Sequence, residues 1–140
     1  MRVLILKRAL AWLALNLAFA FATGCARYVE EWQVTLMNNE GRVVGTLVLR
    51  ITGRRTPDAK ASIARVTAVT PVEGYFPYGS LASVEATATG FNANLNFGAY
   101  DNNTLLQGVR HGNQAEGAVQ TQSGAGGLFA GTFKAVRKPN

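Results

Sequence analysis

The chain has 140 residues, with 14 Lys and Arg, eight Asp and Glu, one His and one Cys. A single histidine and a single cysteine exclude a zinc-type His/Cys cluster and a disulfide within the chain. The length allows one domain with a modest core, and the formal net charge of +6 raises the question of an acidic partner.

The N-terminal segment is basic and then apolar. Arg2, Lys7 and Arg8 come before an apolar stretch over residues 9–22. As a helix, this stretch is about 21 Å long at ~1.5 Å per residue, whereas a bilayer core of roughly 30 Å needs about 20 residues. The stretch therefore predicts the hydrophobic helix of a cleaved export signal, not a permanent membrane span.

The small residues Ala22, Thr23 and Gly24 come directly before Cys25. This arrangement resembles the signal of a bacterial lipoprotein, although Ala22 stands where that family usually carries Leu. The resemblance implies that residues 1–24 are a signal peptide cut off before Cys25. It also implies that the Cys25 thiol carries a diacylglyceryl group and the new amino terminus a further acyl chain such as palmitate. The alternatives are an ordinary secreted protein cleaved nearby and an uncleaved anchor.

The same resemblance implies a location. The residue after Cys25 is Ala26, not the aspartate associated with inner-membrane retention, so the resemblance favours the outer membrane. Residues 25–31 are predicted to be the lipidated terminus and a short tether. At ~3.5 Å per residue this tether reaches only about 20 Å, so the domain over residues 32–140 is expected close to the lipid surface.

Removal of the signal changes the charge. Residues 1–24 contain three of the 14 basic residues and none of the eight acidic ones, so the remainder has a net charge of 11 − 8 = +3. A nucleic-acid partner is therefore not predicted.

The remainder alternates apolar and polar residues at the period of two that is typical of β-strands. The clearest run is Phe91, Ala93, Leu95, Phe97 and Ala99, with Asn or Gly between them. Strands are predicted over residues 32–36, 43–52, 61–70, 81–89, 91–99, 105–110, 115–121 and 128–137. Tight turns join most of them, and no amphipathic helix is predicted after the signal.

About eight short strands joined in succession predict an all-β, antiparallel up-and-down meander that closes as a small barrel. The segment over residues 127–135, and Trp32 ahead of a glycine-containing hairpin, resemble the calycin-type barrels of the avidin and lipocalin architecture. A two-sheet β-sandwich is the alternative. An eight-stranded barrel can be filled by side chains or hold one small ligand, and the pattern leaves both open.

No catalytic set, metal site or cofactor site is predicted. His111 lies at a predicted turn with no identifiable partner for general-base chemistry. The adjacent Glu30 and Glu31 would point to opposite faces if they lay in a strand, and Glu85 is the only carboxylate in the middle of a predicted strand. An enzyme is therefore not expected.

The longest connection, residues 71–79, is aromatic and irregular. Its rings, Tyr75, Phe76 and Tyr78, are predicted together with Trp32 to contact an apolar ligand or a partner. The alternative is that the loop folds its rings inward and plugs one barrel end.

Basic residues crowd the hairpin that follows Leu49. Arg50, Arg54, Arg55 and Lys60 are predicted to form a patch beside anionic headgroups, and the alternative is a solvated face.

Together these patterns predict a non-enzymatic envelope lipoprotein that is held at the membrane through lipid on Cys25 and binds a small apolar ligand or an envelope protein. The alternatives are a structural or assembly lipoprotein with no ligand pocket, and an inhibitor or exclusion lipoprotein that acts on a surface receptor or a cell-wall hydrolase. The oligomeric state is not predicted.

Overall fold

The structure is a computed structural model that describes residues 29–72, 76–123 and 129–139. The predicted signal peptide, Cys25 and Tyr75 lie outside these ranges. Within them, no helix has the length and hydropathy to span a bilayer.

Eight antiparallel strands make up the described chain, and they follow one another around a closed barrel. The strands are β1 (Glu30–Asn38), β2 (Val43–Arg55), β3 (Ser62–Thr70), β4 (Leu81–Ala86), β5 (Gly90–Asn94), β6 (Asn102–His111), β7 (Gln114–Ser123) and β8 (Ala130–Arg137). The wall closes because β1 pairs with both β2 and β8, with Val34 opposite Leu47 on one side and Ala135 on the other. The predicted meander and barrel are confirmed, and the sandwich alternative is wrong.

Alternation along each strand directs one set of side chains inward. The interior is filled mainly by apolar residues, and its largest fully buried side chains are Trp32, Phe91 and Phe133. The Phe91 ring lies 4.9 Å from the Trp32 ring and 5.7 Å from the Phe133 ring, between centroids. Tilted aromatic rings in contact bury a large apolar area, and they make the barrel centre a packed core.

Two glycines give these rings their space. Gly108 pairs with Phe91 on β5 and with Gly117 on β7, and Gly117 pairs with Phe133 on β8. The row Phe91, Gly108, Gly117, Phe133 therefore crosses four neighbouring strands. Since the middle two positions carry no side chain, the rings at either end meet across the gap.

The strand prediction differs from the structure most clearly after Asn94. The period-two run continues to Ala99, but β5 ends at Asn94. The backbone N–H of Asn96 donates to Asn94 Oδ1 at 3.0 Å, and Gly98 adopts a φ of 93°. An asparagine side chain that bonds the backbone two residues on favours a turn over a continued strand. The first strand also begins earlier than predicted, since Glu30 and Glu31 belong to β1.

Candidate functional site

Because the strands run antiparallel in succession, their connections lie alternately at two opposite ends of the barrel. The proximal end holds the entry of the chain at Val29, the β2–β3 hairpin tip, the β4–β5 and β6–β7 turns and the end of β8. The distal end holds the β1–β2 turn, the described parts of the β3–β4 loop, the β5–β6 turn and Phe129 before β8. Each end brings together residues that are far apart in sequence.

Of the four residues predicted to contact a ligand or partner, the three that the structure describes are not brought together at one surface. Trp32 is 0% exposed and lies in the core, and Phe76 is 2% exposed. Their burial leaves neither ring a surface for contact with an external partner. Tyr78 is 38% exposed at the distal end, and Tyr75 lies outside the described residues. A contact role for Tyr78 therefore stays a prediction.

Phe76 closes the distal mouth. It belongs to the core cluster, and its ring is close enough to β8 that a methyl group built on Gly131 would lie 3.2 Å from Phe76 Cζ. Val72 of the same loop packs over Gly45 on β2. Phe76 therefore turns inward as the plug alternative expects, whereas Tyr78 remains exposed.

Exposed apolar side chains concentrate at the distal end. Five of the nine large hydrophobic residues that are exposed in the described chain lie there. They are Val43, Val69, Tyr78, Tyr100 and Phe129. Tyr100 is 98% exposed. Apolar groups scattered singly are normal, whereas a cluster on one face is typical of a contact surface.

A cavity of about 350 Å³ lies within this end. Its lining joins the Phe76 and Phe129 rings to polar residues of the β1–β2 turn, including Glu40 and Arg42. The lining is mixed, with four polar or charged residues beside two aromatic rings, and a mixed lining of this kind can take a partner side chain or a small ligand with both apolar and polar groups.

The proximal end is charged and internally paired. Glu30 Oε1 lies 2.8 Å from Arg137 Nε and 3.7 Å from Arg110 Nη2. Arg110 also stacks over the Trp32 ring, with its Cζ 5.0 Å from the ring centroid, and donates to the Gly112 and Thr87 carbonyls. This ion cluster covers the proximal opening of the core.

Glu31, on the opposite face of β1, has different partners. Its carboxylate lies 2.7 Å from Lys138 Nζ and 2.8 Å from Arg50 Nε. Hydrogen bonds from Lys138 and then Arg50 lower the pKa of Glu31 below its ordinary value. The prediction that the two adjacent glutamates face opposite ways is confirmed.

The predicted basic patch divides into two kinds of residue. Arg50 is held by Glu31, whereas Arg54, Arg55 and Lys60 are exposed and form no ion pair with any other residue that the structure describes. All four lie on the β2–β3 hairpin at the proximal end.

The residues considered for catalysis are dispersed. His111 is exposed beside the Gly112–Asn113 turn, and Glu85 is exposed on the outer wall. No group of three His, Cys, Asp or Glu that could hold a metal ion occurs within residues 29–72, 76–123 and 129–139.

Sequence reasoning missed Arg110, Tyr100 and Phe129. Along β6, the alternate residues Thr104, Leu106 and Gly108 face the interior. Arg110 is the next residue in this alternation, so the period of two already predicted that its side chain points inward. Phe129 falls within the predicted strand over residues 128–137 but is 43% exposed, because β8 begins only at Ala130. Nothing in the period-two pattern distinguishes Tyr100, since it lies in a turn.

The sequence matches no protein-family model, no curated protein and no solved structure at a significant level. The fold and the two barrel ends therefore carry the functional argument.

Proposed function

We propose that this protein is a non-enzymatic lipoprotein of the bacterial cell envelope, which is anchored through Cys25 and binds an envelope protein through its distal end. One observation carries the proposal: the exposed apolar side chains gather at the end of the barrel opposite the entry of the chain at Val29. Lipid on Cys25 would hold the proximal end at the membrane, and the apolar end would face outward.

The packed interior favours a protein partner over a ligand inside the barrel. The inward alanines Ala64 and Ala93 are buried and belong to the same core cluster as Trp32, Phe91 and Phe133. Small inward residues thus allow the wall to close on the rings, and contact takes place at the distal surface.

A small apolar ligand is the second candidate, and the distal cavity favours it. Its volume of about 350 Å³ falls at the lower end of the range of roughly 300–1,000 Å³ typical of ligand sites. The exposed Phe129 ring would supply the main apolar contact, since Phe76 in the same lining is only 2% exposed.

The anchor is tested by metabolic labelling. Radiolabelled palmitate is expected to enter the wild-type protein, and Cys25→Ser is expected to abolish incorporation. Secretion of unlabelled protein with its N-terminus intact would contradict lipidation.

The distal contact is tested by site-specific photocrosslinking in cells. A photoreactive residue at Tyr78 or Tyr100 is expected to give a discrete adduct with one envelope protein, and purified components should reproduce it. A probe at Val109, an exposed apolar residue at the proximal end, is the matched control. Similar adducts from both ends would contradict a distal site.

The same surface is tested by substitution. Tyr100→Ala is expected to weaken partner binding while the melting temperature stays within about 2 °C, because exposed positions contribute little to stability. Loss of binding only in variants that also unfold would indicate a scaffold with no contact surface.

A further inference from the structure

The net positive charge of the β2–β3 hairpin is larger than the net charge of the whole chain after residue 24. Residues 50–65 contain five basic residues and one acidic residue, a net charge of 5 − 1 = +4, whereas the chain after residue 24 has +3. The rest of that chain is therefore net negative, at 3 − 4 = −1. The basic character of the protein belongs to this one hairpin.

The turn at the hairpin tip is held by its own hydrogen bonds. The Thr56 hydroxyl donates to Asp58 Oδ1 at 2.5 Å and accepts from the backbone N–H of Ala61 at 3.1 Å. The backbone N–H of Lys60 also donates to Asp58 Oδ1, at 3.3 Å. The one carboxylate of the hairpin is thus bound to the turn, and the cations project from an ordered frame.

The cations at the tip are available to a partner. Arg54, Arg55 and Lys60 are exposed, and among the residues that the structure describes none of them has an ion pair. Glu85 on β4 borders Arg55 and Lys60 in a cleft of about 220 Å³, and it offsets only part of their charge.

The hairpin tip and the start of β1 lie at the same end of the barrel. The backbone N–H of Val29 donates to the Ile51 carbonyl at 2.8 Å, so the incoming chain is attached to β2 at that level. From there β2 runs four further residues to Arg55, at most about 13 Å at ~3.3 Å per residue, since its pairing with β3 is irregular between Ile51 and Arg55. Cys25 is likewise four residues before Val29, within a maximum of about 14 Å.

We propose that Arg54, Arg55 and Lys60 bind the phosphate-bearing headgroups of an anionic bilayer and thereby orient the barrel with its distal end away from the membrane. The orientation rests on the proposed lipid anchor. When Cys25 is held at the membrane, the short segment between Cys25 and Val29 keeps the hairpin tip at the level of the headgroups. The affinity of the hairpin for anionic lipid does not need the anchor. A basic group near such a surface increases binding about fivefold, and salt screens the effect.

The test uses a chain that starts at Ala26 and therefore carries no lipid. All eight strands and the β1–β8 closure lie within Glu30–Arg137, so this chain contains the complete barrel. Its partition onto phosphatidylcholine vesicles, with and without phosphatidylglycerol, is measured by co-sedimentation. Binding is expected only with phosphatidylglycerol, and it should fall as sodium chloride is raised.

Two double variants with equal net charge locate the contact. Arg54→Gln with Arg55→Gln removes two hairpin cations, and Arg42→Gln with Lys134→Gln removes two elsewhere, so each leaves 3 − 2 = +1. The hairpin variant is expected to bind anionic vesicles about 30-fold more weakly, and the control less than about threefold.

Equal losses in the two variants would overturn the proposal, because binding would then follow total charge. Absence of any preference for phosphatidylglycerol would also overturn it and would assign the cations to an acidic protein instead. These results are independent of palmitate incorporation at Cys25, so failure of the orientation and failure of the anchor can be distinguished.

Discussion

Gly117→Ala tests whether the barrel wall depends on the close approach of β6 and β7. A methyl group built on Gly117 would lie 2.1 Å from the Gln107 carbonyl oxygen and 2.5 Å from Gly108 Cα. Ordinary contacts between heavy atoms lie at about 3.5–4.0 Å. The wall would therefore have to move by more than about 1 Å, and the neighbouring atoms are backbone, which cannot rotate away.

The expected loss of stability in Gly117→Ala is large for the addition of one methyl group. Overpacking typically costs about 1–3 kcal/mol, and a clash with backbone belongs at the upper end, near 3 kcal/mol. For a domain of this size, about 4 °C per kcal/mol predicts a melting temperature about 12 °C lower. Thermal unfolding followed by circular dichroism measures it.

Gly53→Ala is the matched control on β2. A methyl group there has no neighbour within 4 Å, and Gly53 is exposed. Because alanine lowers the entropy of the unfolded chain, this variant is expected to be more stable by about 0.4–1 kcal/mol. A Gly117→Ala variant that melts within about 3 °C of the parent would refute the close approach. Equal losses in both variants would assign the effect to alanine in strands generally.

Further substitutions test the core and the proximal end. Phe91→Ala removes the middle ring of the core and is expected to lower the free energy of unfolding in urea by about 3–5 kcal/mol, whereas a loss below 1 kcal/mol would contradict a packed interior. Arg110→Gln removes the cation over Trp32 and a partner of Glu30; a loss of about 1–3 kcal/mol is expected, with a shift in the fluorescence of Trp32, and an unchanged spectrum would contradict the stacking. Since the pKa of Glu31 is lowered in the folded state, its contribution to stability is present above its ordinary pKa of 4.5 and is lost as the pH falls through the lowered value. Denaturant titrations from about pH 6 to pH 3 should therefore show a steeper loss for the parent than for Glu31→Gln, and parallel curves would contradict the ion pairs.

Much of the wall was predictable because period-two alternation is a local property. Runs such as Phe91, Asn92 and Ala93 carry their inward and outward faces in the residues themselves, and Gly112–Asn113 marks a turn without reference to the rest of the chain. The same locality explains the error after Asn94, where alternation continued but the side chain of Asn94 bonded its own backbone.

The contact residues were less predictable because exposure depends on the whole fold. An aromatic loop can point either way, and only the folded barrel placed Phe76 inside, beside Gly131 of β8, and left Tyr78 exposed. The ion cluster shows the same dependence, since Glu30 and Arg110 meet across 80 residues of sequence.

The sequence by itself determined the number of strands, their antiparallel succession and the two faces of each strand, since these follow from neighbouring residues. Tertiary structure alone decided that the interior is full, because Gly108 and Gly117 make room for the rings only in the observed register. It also decided the division between a charged proximal end and an apolar distal end. The division arises because closure of the barrel brings turns that are distant in sequence to the same end, so no local sequence pattern predicts it.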